Sequence, residues 1–246
     1  MRKIIYEKEE IKLDNGSYFG QGVFETILWL NKPVFLKEHI ERLKEGMKVI
    51  GLTPLVEEEE LLSFLDNLKV ENKALKIMVT PLNIVIKTSS IPYKKEDYEK
   101  GRKLKKSKVL RNSTSALTYI KSSCYIENIL EKKKAVNEGF DDVFFLNEKG
   151  YLTETSCANI FMIKNNRILT PKIENGILRG IIREWVINNF SVEEREILYE
   201  DLKEAEEVFV TNSLMGIMRV DKIEDTTYGE SNLLHNIMKK YNDTID

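Results

Sequence analysis

The sequence predicts an α+β chain of two domains, a small α/β domain first and a larger β-rich domain after it. Three observations predict this. The chain has 246 residues, 42% of them hydrophobic, enough for one large or two modest cores. Helical spacing mixes with strand-like runs in the first ninety or so residues, whereas beyond residue 140 strand-length apolar runs separated by turn dipeptides dominate. Between them, residues 92–107, "PYKKEDYEKGRKLKKS", have the composition of a solvated loop or interdomain crossing. The domains are expected over 1–105 and 112–246.

The elements follow in order. "VFETILWL" and "KPVFL" read as a hairpin around Asn31-Lys32, and "KEHIERLKEGMKVIGL" sets Ile40, Leu43, Met47 and Ile50 at helical spacing before Gly51. A second helix is expected near 57–69. "ALKIMVT" and "NIVIKTS" flank Pro81-Leu82-Asn83 as another hairpin, closing a small antiparallel sheet with helices on one side. After Lys121 a helix is expected to place Ile126, Ile129, Leu130 and Val136 on one side and to end at Gly139. Strands "DVFFL", "YLTET", "NIFMI" and "RILT" come next, with turns at "NEKG" and Asn165-Asn166. A helix near Gly180, a short strand around Ile197-Leu198, a helix at 201–206, strands "EVFVT" and "MGIMRV" and a final helix at 231–241 complete the chain. There is no internal repeat and no low-complexity tract.

Composition narrows the function classes. Net charge is −2 with Lys and Arg scattered, so no basic stripe offers a nucleic-acid footprint. The start, "MRKIIYEKEE", lacks a signal-peptide apolar region, and no apolar run approaches the ~20 residues that span a bilayer. A soluble cytoplasmic protein with no membrane partner is expected. Cys124, Cys157, His39 and His235 form no ligand-spaced cluster, so no metal site is expected. A Cys124 nucleophile with His39 as base lacks a third, orienting group.

One residue stands apart. In "YIKSSCYIENIL", Lys121 is the only charge between Arg111 and Glu127 in a chain that is 32% charged. Its neighbours Leu117, Tyr119, Ile120, Cys124 and Ile126 predict a partly buried strand end feeding a helix N-terminus. Burial and the positive end of a helix dipole both disfavour an ammonium, leaving an amine fit to act as nucleophile or base.

The block from Tyr119 to Pro171, "YIKSSCYIENILEKKKAVNEGFDDVFFLNEKGYLTETSCANIFMIKNNRILTP", resembles the central block of the class IV, fold-type IV pyridoxal-phosphate enzymes. That family comprises branched-chain aminotransferases, D-amino-acid aminotransferases and aminodeoxychorismate lyases. "FGQGVFETI" and "LKEHIERL" before it, and "GILRGIIREWV" and "VFVTNSLMGIMRV" after it, fall in the family's order, so the resemblance covers most of the chain.

The resemblance implies the D-amino-acid aminotransferase-like two-domain fold, pyridoxal 5'-phosphate as cofactor, a small-molecule amino substrate and a homodimer. Lys121 would be the catalytic amine that holds the cofactor covalently. Glu154 matches the carboxylate facing the pyridine nitrogen, which it would keep protonated so that the ring accepts electrons, the alternative being a solvated strand glutamate. Arg42, in "HIERL", matches the phosphate arginine, the alternative being an exposed helix arginine. Gly180, Ile181 and Ile182 match a Gly-Ile-Thr segment whose amides grip the phosphate, and Ile182 lacks the hydroxyl, at a cost of roughly 1 kcal/mol. Ser213 matches a second phosphate hydroxyl or is simply a turn residue. Tyr125, one helical turn after Lys121, matches the tyrosine on the cofactor's phenolic oxygen or is a buried core tyrosine. Asn159 is expected to fix the backbone near Glu154.

Departures are Gln21 where aspartate is frequent, Lys76 where arginine is common, and Arg219 where proline often follows "GIM". Arg219 is expected to sit in solvent, or else to assist a dicarboxylate substrate; Arg111 and Lys76 are further carboxylate candidates. "TNSLMGI", "KSSCYIENIL" and the compact length resemble the lyases, which implies a 4-amino-4-deoxychorismate lyase releasing 4-aminobenzoate and pyruvate for folate synthesis. The alternatives are a branched-chain or D-amino-acid aminotransferase, or a cofactor-binding protein without turnover.

Overall fold

The computed structural model describes residues 1–8 and 10–245 and divides by packing into two units. Unit 1 is Met1–Pro92 together with Ile120–Tyr125; unit 2 is Tyr93–Tyr119 and the residues from Ile126 onward.

Unit 1 runs β1 (Lys3–Tyr6), α1 (Asn15–Phe19), β2 (Val23–Trp29), α2 (Leu36–Val49), α3 (Glu58–Asp66), β3 (Lys73–Val79) and β4 (Asn83–Ser90). Its sheet has the order β1-β4-β3-β2. The β2–β3 and β3–β4 pairs are antiparallel as expected, but β1, which the sequence reading missed, adds in parallel to β4. Ile40, Leu43 and Met47 of α2 and Leu61 and Leu65 of α3 cover the strand side chains Val23, Ile27, Leu75, Ile77, Ile84 and Ile86. The expected second arm after Asn31-Lys32 shrinks to one bridge, Trp29 to Pro33, since proline has no N–H for a ladder and the chain enters α2 at Leu36.

Residues 121–123 return to unit 1 and pair with the outer edge of β2. Ser122 bridges Val23, the Phe24 N–H donates to the Lys121 carbonyl (2.9 Å), and the Ser123 N–H donates to the Gly22 carbonyl (2.8 Å). Gly22 is required by this approach, because a Cβ there would lie 2.7 Å from Ser123 Oγ and 3.1 Å from the Val79 carbonyl.

Unit 2 contains α4 (Lys95–Lys100), β5 (Arg102–Arg111), a 3₁₀ turn (Ala116–Tyr119), α5 (Ile126–Asn137), β6 (Asp142–Asn147), β7 (Leu152–Thr155), β8 (Asn159–Lys164) and β9 (Arg167–Pro171). It continues with α6 (Ile181–Asn189), β10 (Val192–Arg195), α7 (Tyr199–Lys203), β11 (Glu207–Asn212), β12 (Gly216–Ile223), β13 (Thr226–Thr227) and α8 (Asn232–Ile245). The strand order is β10-β9-β8-β11-β12-β5-β6-β7, and β7 pairs again with β8. That last pairing closes β8, β11, β12, β5, β6 and β7 into a ring, with Glu154 opposite Asn159 at the seam.

Several expectations are corrected here. Residues 92–107 are not a loop: "RKLKKSKVLR" is β5, whose lysines are outward while Leu104 and Ser107 are buried. Helix α5 presents the opposite face to the one expected. Ile126, Ile129, Leu130 and Val136 are 50% or more exposed, and the helix docks instead through Ala135 against Val143 and Phe145, and through Glu131, which accepts from Ser107 Oγ (2.7 Å). The strand expected at Ile197-Leu198 lies earlier, in β10, and Leu198 makes only a bridge to Tyr151. Among the described residues no helix is long and apolar enough to cross a membrane.

Candidate active site

In unit 1 the residues gather around β2. Alternation in "VFETILW" turns Val23, Glu25 and Ile27 toward α2, so a carboxylate stands in an apolar row. Glu25 is 1% exposed and survives there because α2 answers it: Arg42 Nε donates to Oε1 (2.8 Å), Arg42 Nη2 to Oε2 (2.7 Å), and His39 Nδ1 lies 2.7 Å from Oε2. Burial penalises the charged Glu25, but the Arg42 and His39 contacts outweigh it and hold the carboxyl down to about 2. Burial pushes His39 below its ordinary value, so it is neutral, carries its proton on Nδ1 and donates it to Glu25. Arg42 is therefore the countercharge.

Both shifts have the same sign. A folded-state value below the unfolded one adds stability that is present above the unfolded value and lost as pH falls toward the folded one. Through these two groups the urea midpoint should fall as pH drops through 6.5, where His39 protonates in the unfolded chain, and fall further below pH 4.5, where Glu25 acts together with Asp14, Glu57 and Glu131. The Glu25 contribution is about 3 kcal/mol. A Glu25→Gln variant that keeps the full acid slope would show that the slope arises elsewhere.

Lys121 is half-buried beside this network, and its charge acts on His39. Its Nζ lies 4.7 Å from the ring centroid of Phe24 and 5.4 Å from that of Tyr125, rings set edge-to-face 5.4 Å apart. It is not a strand end running into a helix. Lys121 precedes a single β rung, and α5 begins only at Ile126, so Tyr125 is held by Phe24 and not by a helical turn. Lys76 Nζ, exposed, lies 5.3 Å from the same Phe24 ring. Gln21 spans from Asn15 to the Ile50 carbonyl. Cys124 lies 3.7 Å from the Gly20 carbonyl while His39 is committed to Glu25, which leaves no thiol and base pair.

In unit 2 the barrel seam and the start of α6 share one hydrogen-bond cluster. Glu154 Oε2 accepts from Asn159 Nδ2 (3.2 Å) and the Leu178 N–H (3.1 Å), and Asn159 Nδ2 also donates to the Leu178 carbonyl (2.8 Å). Gly180 is the N-cap of α6 and supplies no capping side chain, so no side chain caps the amides that open the helix. Ile182 is 1% exposed: its side chain is committed to the interior and only its backbone is available to a ligand. Ser213 sits in the β11–β12 turn, which Asn212 builds by accepting from the Leu214 and Met215 amides (3.0 and 2.9 Å). Asn212 also donates to the Cys157 carbonyl, tying this turn to the one beside Glu154.

Arg111 and Arg219 are both engaged within unit 2. Arg111 stacks on Phe145, with its guanidinium carbon 3.8 Å from the centroid, and donates to Glu127 and Asn128. Arg219 is not in solvent: it donates to the Glu99 and Lys100 carbonyls and pairs with Asp221 and Glu230. The structure thus groups Lys121, Arg42 and Tyr125 in unit 1, and Glu154, Gly180, Ile181 and Ile182 in unit 2, with Ser213 one turn away. Glu25 escapes the sequence reading, and His39 enters it only as a metal-ligand candidate or a base for Cys124, not as a partner of Glu25. The signal was there, in a glutamate at an inward position between Val23 and Ile27.

Unit 1 thus offers a half-buried amine beside aromatic rings, and unit 2 a carboxylate steadied by N–H donors and a helix start without a side-chain cap. The chain belongs to the class IV amino-transferase family, which it matches over residues 22–223. It is 32% identical to the aminodeoxychorismate lyase of Bacillus subtilis over 240 residues, 88% of this chain and 82% of that one. It is also 32% identical to a putative branched-chain-amino-acid aminotransferase of Methanocaldococcus jannaschii, over 86% of this chain and 81% of that one. A putative 4-amino-4-deoxychorismate lyase structure from Legionella pneumophila superposes with a TM-score of 0.88 at 27% identity and covers 98% of each chain. The fold is fold-type IV, and the protein is an enzyme that depends on pyridoxal 5'-phosphate.

Proposed function

We propose that the enzyme is a 4-amino-4-deoxychorismate lyase, releasing 4-aminobenzoate and pyruvate. The observation that carries the reading is the match to the Legionella protein, coextensive at 98% of both chains; the branched-chain enzyme from Thermoproteus uzoniensis, at 25% identity, is covered over 90% of its length. Bound pyridoxal phosphate supplies an electron-accepting pyridinium ring.

The chain's own residues supply the rest. Lys121 would be the amine that holds the cofactor and, as a free amine, would take the proton from the substrate carbon beside the nitrogen and return one to the departing enol. Glu154 holds a proton at the ring nitrogen. Arg42, the amides of Ile181 and Ile182 and the Ser213 hydroxyl would hold the phosphate, and Tyr125 would bond the phenolic oxygen. We also propose a homodimer, supported by the exposed apolar face of α5, which a second copy of the chain would cover; a monomer mass by light scattering would refute it.

The second reading, transamination, rests on the 32% identity to the Methanocaldococcus protein. One assay separates the two. The lyase releases pyruvate from aminodeoxychorismate with no keto acid present, whereas a transaminase consumes a branched-chain amino acid only when a keto acid accepts the amine. Pyruvate that appears only with added keto acid would sink the lyase reading.

A further inference from the structure

The polar cluster at the barrel seam carries an inference about Asn159. Its amide nitrogen faces two acceptors, Glu154 Oε2 and the Leu178 carbonyl, which fixes the amide's orientation and turns Oδ1 toward Gly180. An ideal Cβ on Gly180 would lie 1.9 Å from that Oδ1. Asn159 is 4% exposed and is tied at Nδ2 by both bonds, so Oδ1 is not the loose end of a flexible side chain. It also pairs with Glu154 across the closing rung of the barrel and with Thr211 on its other side. One amide therefore touches Glu154, the 178 loop and the N-cap of α6.

We propose that Asn159 is a positioning residue that sets the Glu154 carboxylate and the start of α6 in register with each other, and that position 180 must be glycine to admit its amide. The inference rests on the reading above, in which Glu154 meets the ring nitrogen and the α6 amides meet the phosphate. Those two ends of the cofactor are a fixed distance apart, so a single side chain bonded at one end and wedged at the other holds the protein's two grips at matching spacing. An N–H donor on Glu154 Oε2 also steadies negative charge there, which a proton on the ring nitrogen requires.

The test uses the full chain and pyridoxal phosphate itself. Asn159→Ala should weaken cofactor binding to the apoprotein about tenfold, the loss of a charge-assisted hydrogen bond, and move the pH at which the cofactor's visible absorbance changes. Asn159→Asp keeps the shape but sets an acceptor against Glu154 and should move that pH further. Gly180→Ala should weaken binding by a similar factor, and the Gly180→Ala, Asn159→Ala double variant should bind no worse than the weaker single one, because the new methyl fills the space the amide leaves. Glu154→Gln separates the two ideas. If it leaves the absorbance profile unchanged, the Glu154 reading falls and this inference with it. If it moves the profile while both Asn159 variants match wild type, or if the double variant's losses multiply, the inference alone is overturned. A drop in apoprotein melting temperature that accounts for the weaker binding of both Asn159 variants would make the residue merely structural and overturn it as well.

Discussion

Lys121→Ala should lower turnover on the order of 10⁴-fold, because in the proposed mechanism one amine both holds the cofactor and moves the proton. The purified wild-type protein should be yellow and the variant should lack the wild-type band. Folding should be spared. Lys121 is half-buried with its Nζ near the Phe24 and Tyr125 rings, and this stretch is anchored to β2 through its backbone, where the Phe24 N–H donates to the Lys121 carbonyl, a bond that alanine retains. Melting within a few degrees of wild type, about 1 kcal/mol or less, should therefore accompany the loss of colour. A variant that keeps the band and the rate would remove Lys121 from the chemistry.

Glu25→Ala should do the reverse, striking the fold first. Removing the carboxylate strands the Arg42 guanidinium, with a side chain 12% exposed, and the buried His39 without their shared acceptor. Breaking one partner out of such a pair costs about 3–5 kcal/mol, which for a chain of this size lowers the melting temperature by roughly 10 °C. Glu25→Gln keeps the shape and one acceptor oxygen, so it should fall between. With Arg42 on the phosphate as proposed, cofactor affinity should weaken in both variants, more in alanine, where both Glu25 acceptors are lost, than in glutamine, where one remains. A Glu25→Ala protein that melts with wild type would mean that the network contributes nothing net.

The fold was legible wherever one face of an element met one core. The β3–β4 hairpin, α2 and the run of strands from Asp142 to Pro171 lie where the period of their apolar residues put them. Elements failed when a side chain's partner lay outside its own segment. β5 reads as a loop because its lysines point outward and its inward set includes Ser107, whose burial is explained by Glu131, twenty-four residues away. The apolar stripe of α5 reads as a core face, and only the docking of Ala135 and Glu131 shows that the helix is turned the other way. β1 is four residues long and made only by its pairing with β4.

The candidate residues were legible for a different reason. Lys121 stands out as a lone charge among apolar and uncharged neighbours, but His39, on which its charge acts, and Phe24, whose ring it faces, come from a helix and a strand far earlier in the chain. The sequence leads one to expect Asn159 to fix the backbone near Glu154; its contact with Gly180 joins residues twenty-one positions apart and no local pattern reports it.

Unit 1 is discontinuous: its strands end at Ser90, yet the segment that pairs with the edge of β2 starts at Ile120. During synthesis the N-terminal sheet is complete in its other strands before the ribosome has made the piece that shields that edge. Until then the rim of β2 at Gly22 and Phe24 offers unmatched donors and acceptors to any passing extended chain. A fragment truncated at Pro92 would carry that open rim permanently and should self-associate as β-structure, whereas the whole chain seals it with the stretch that delivers Lys121.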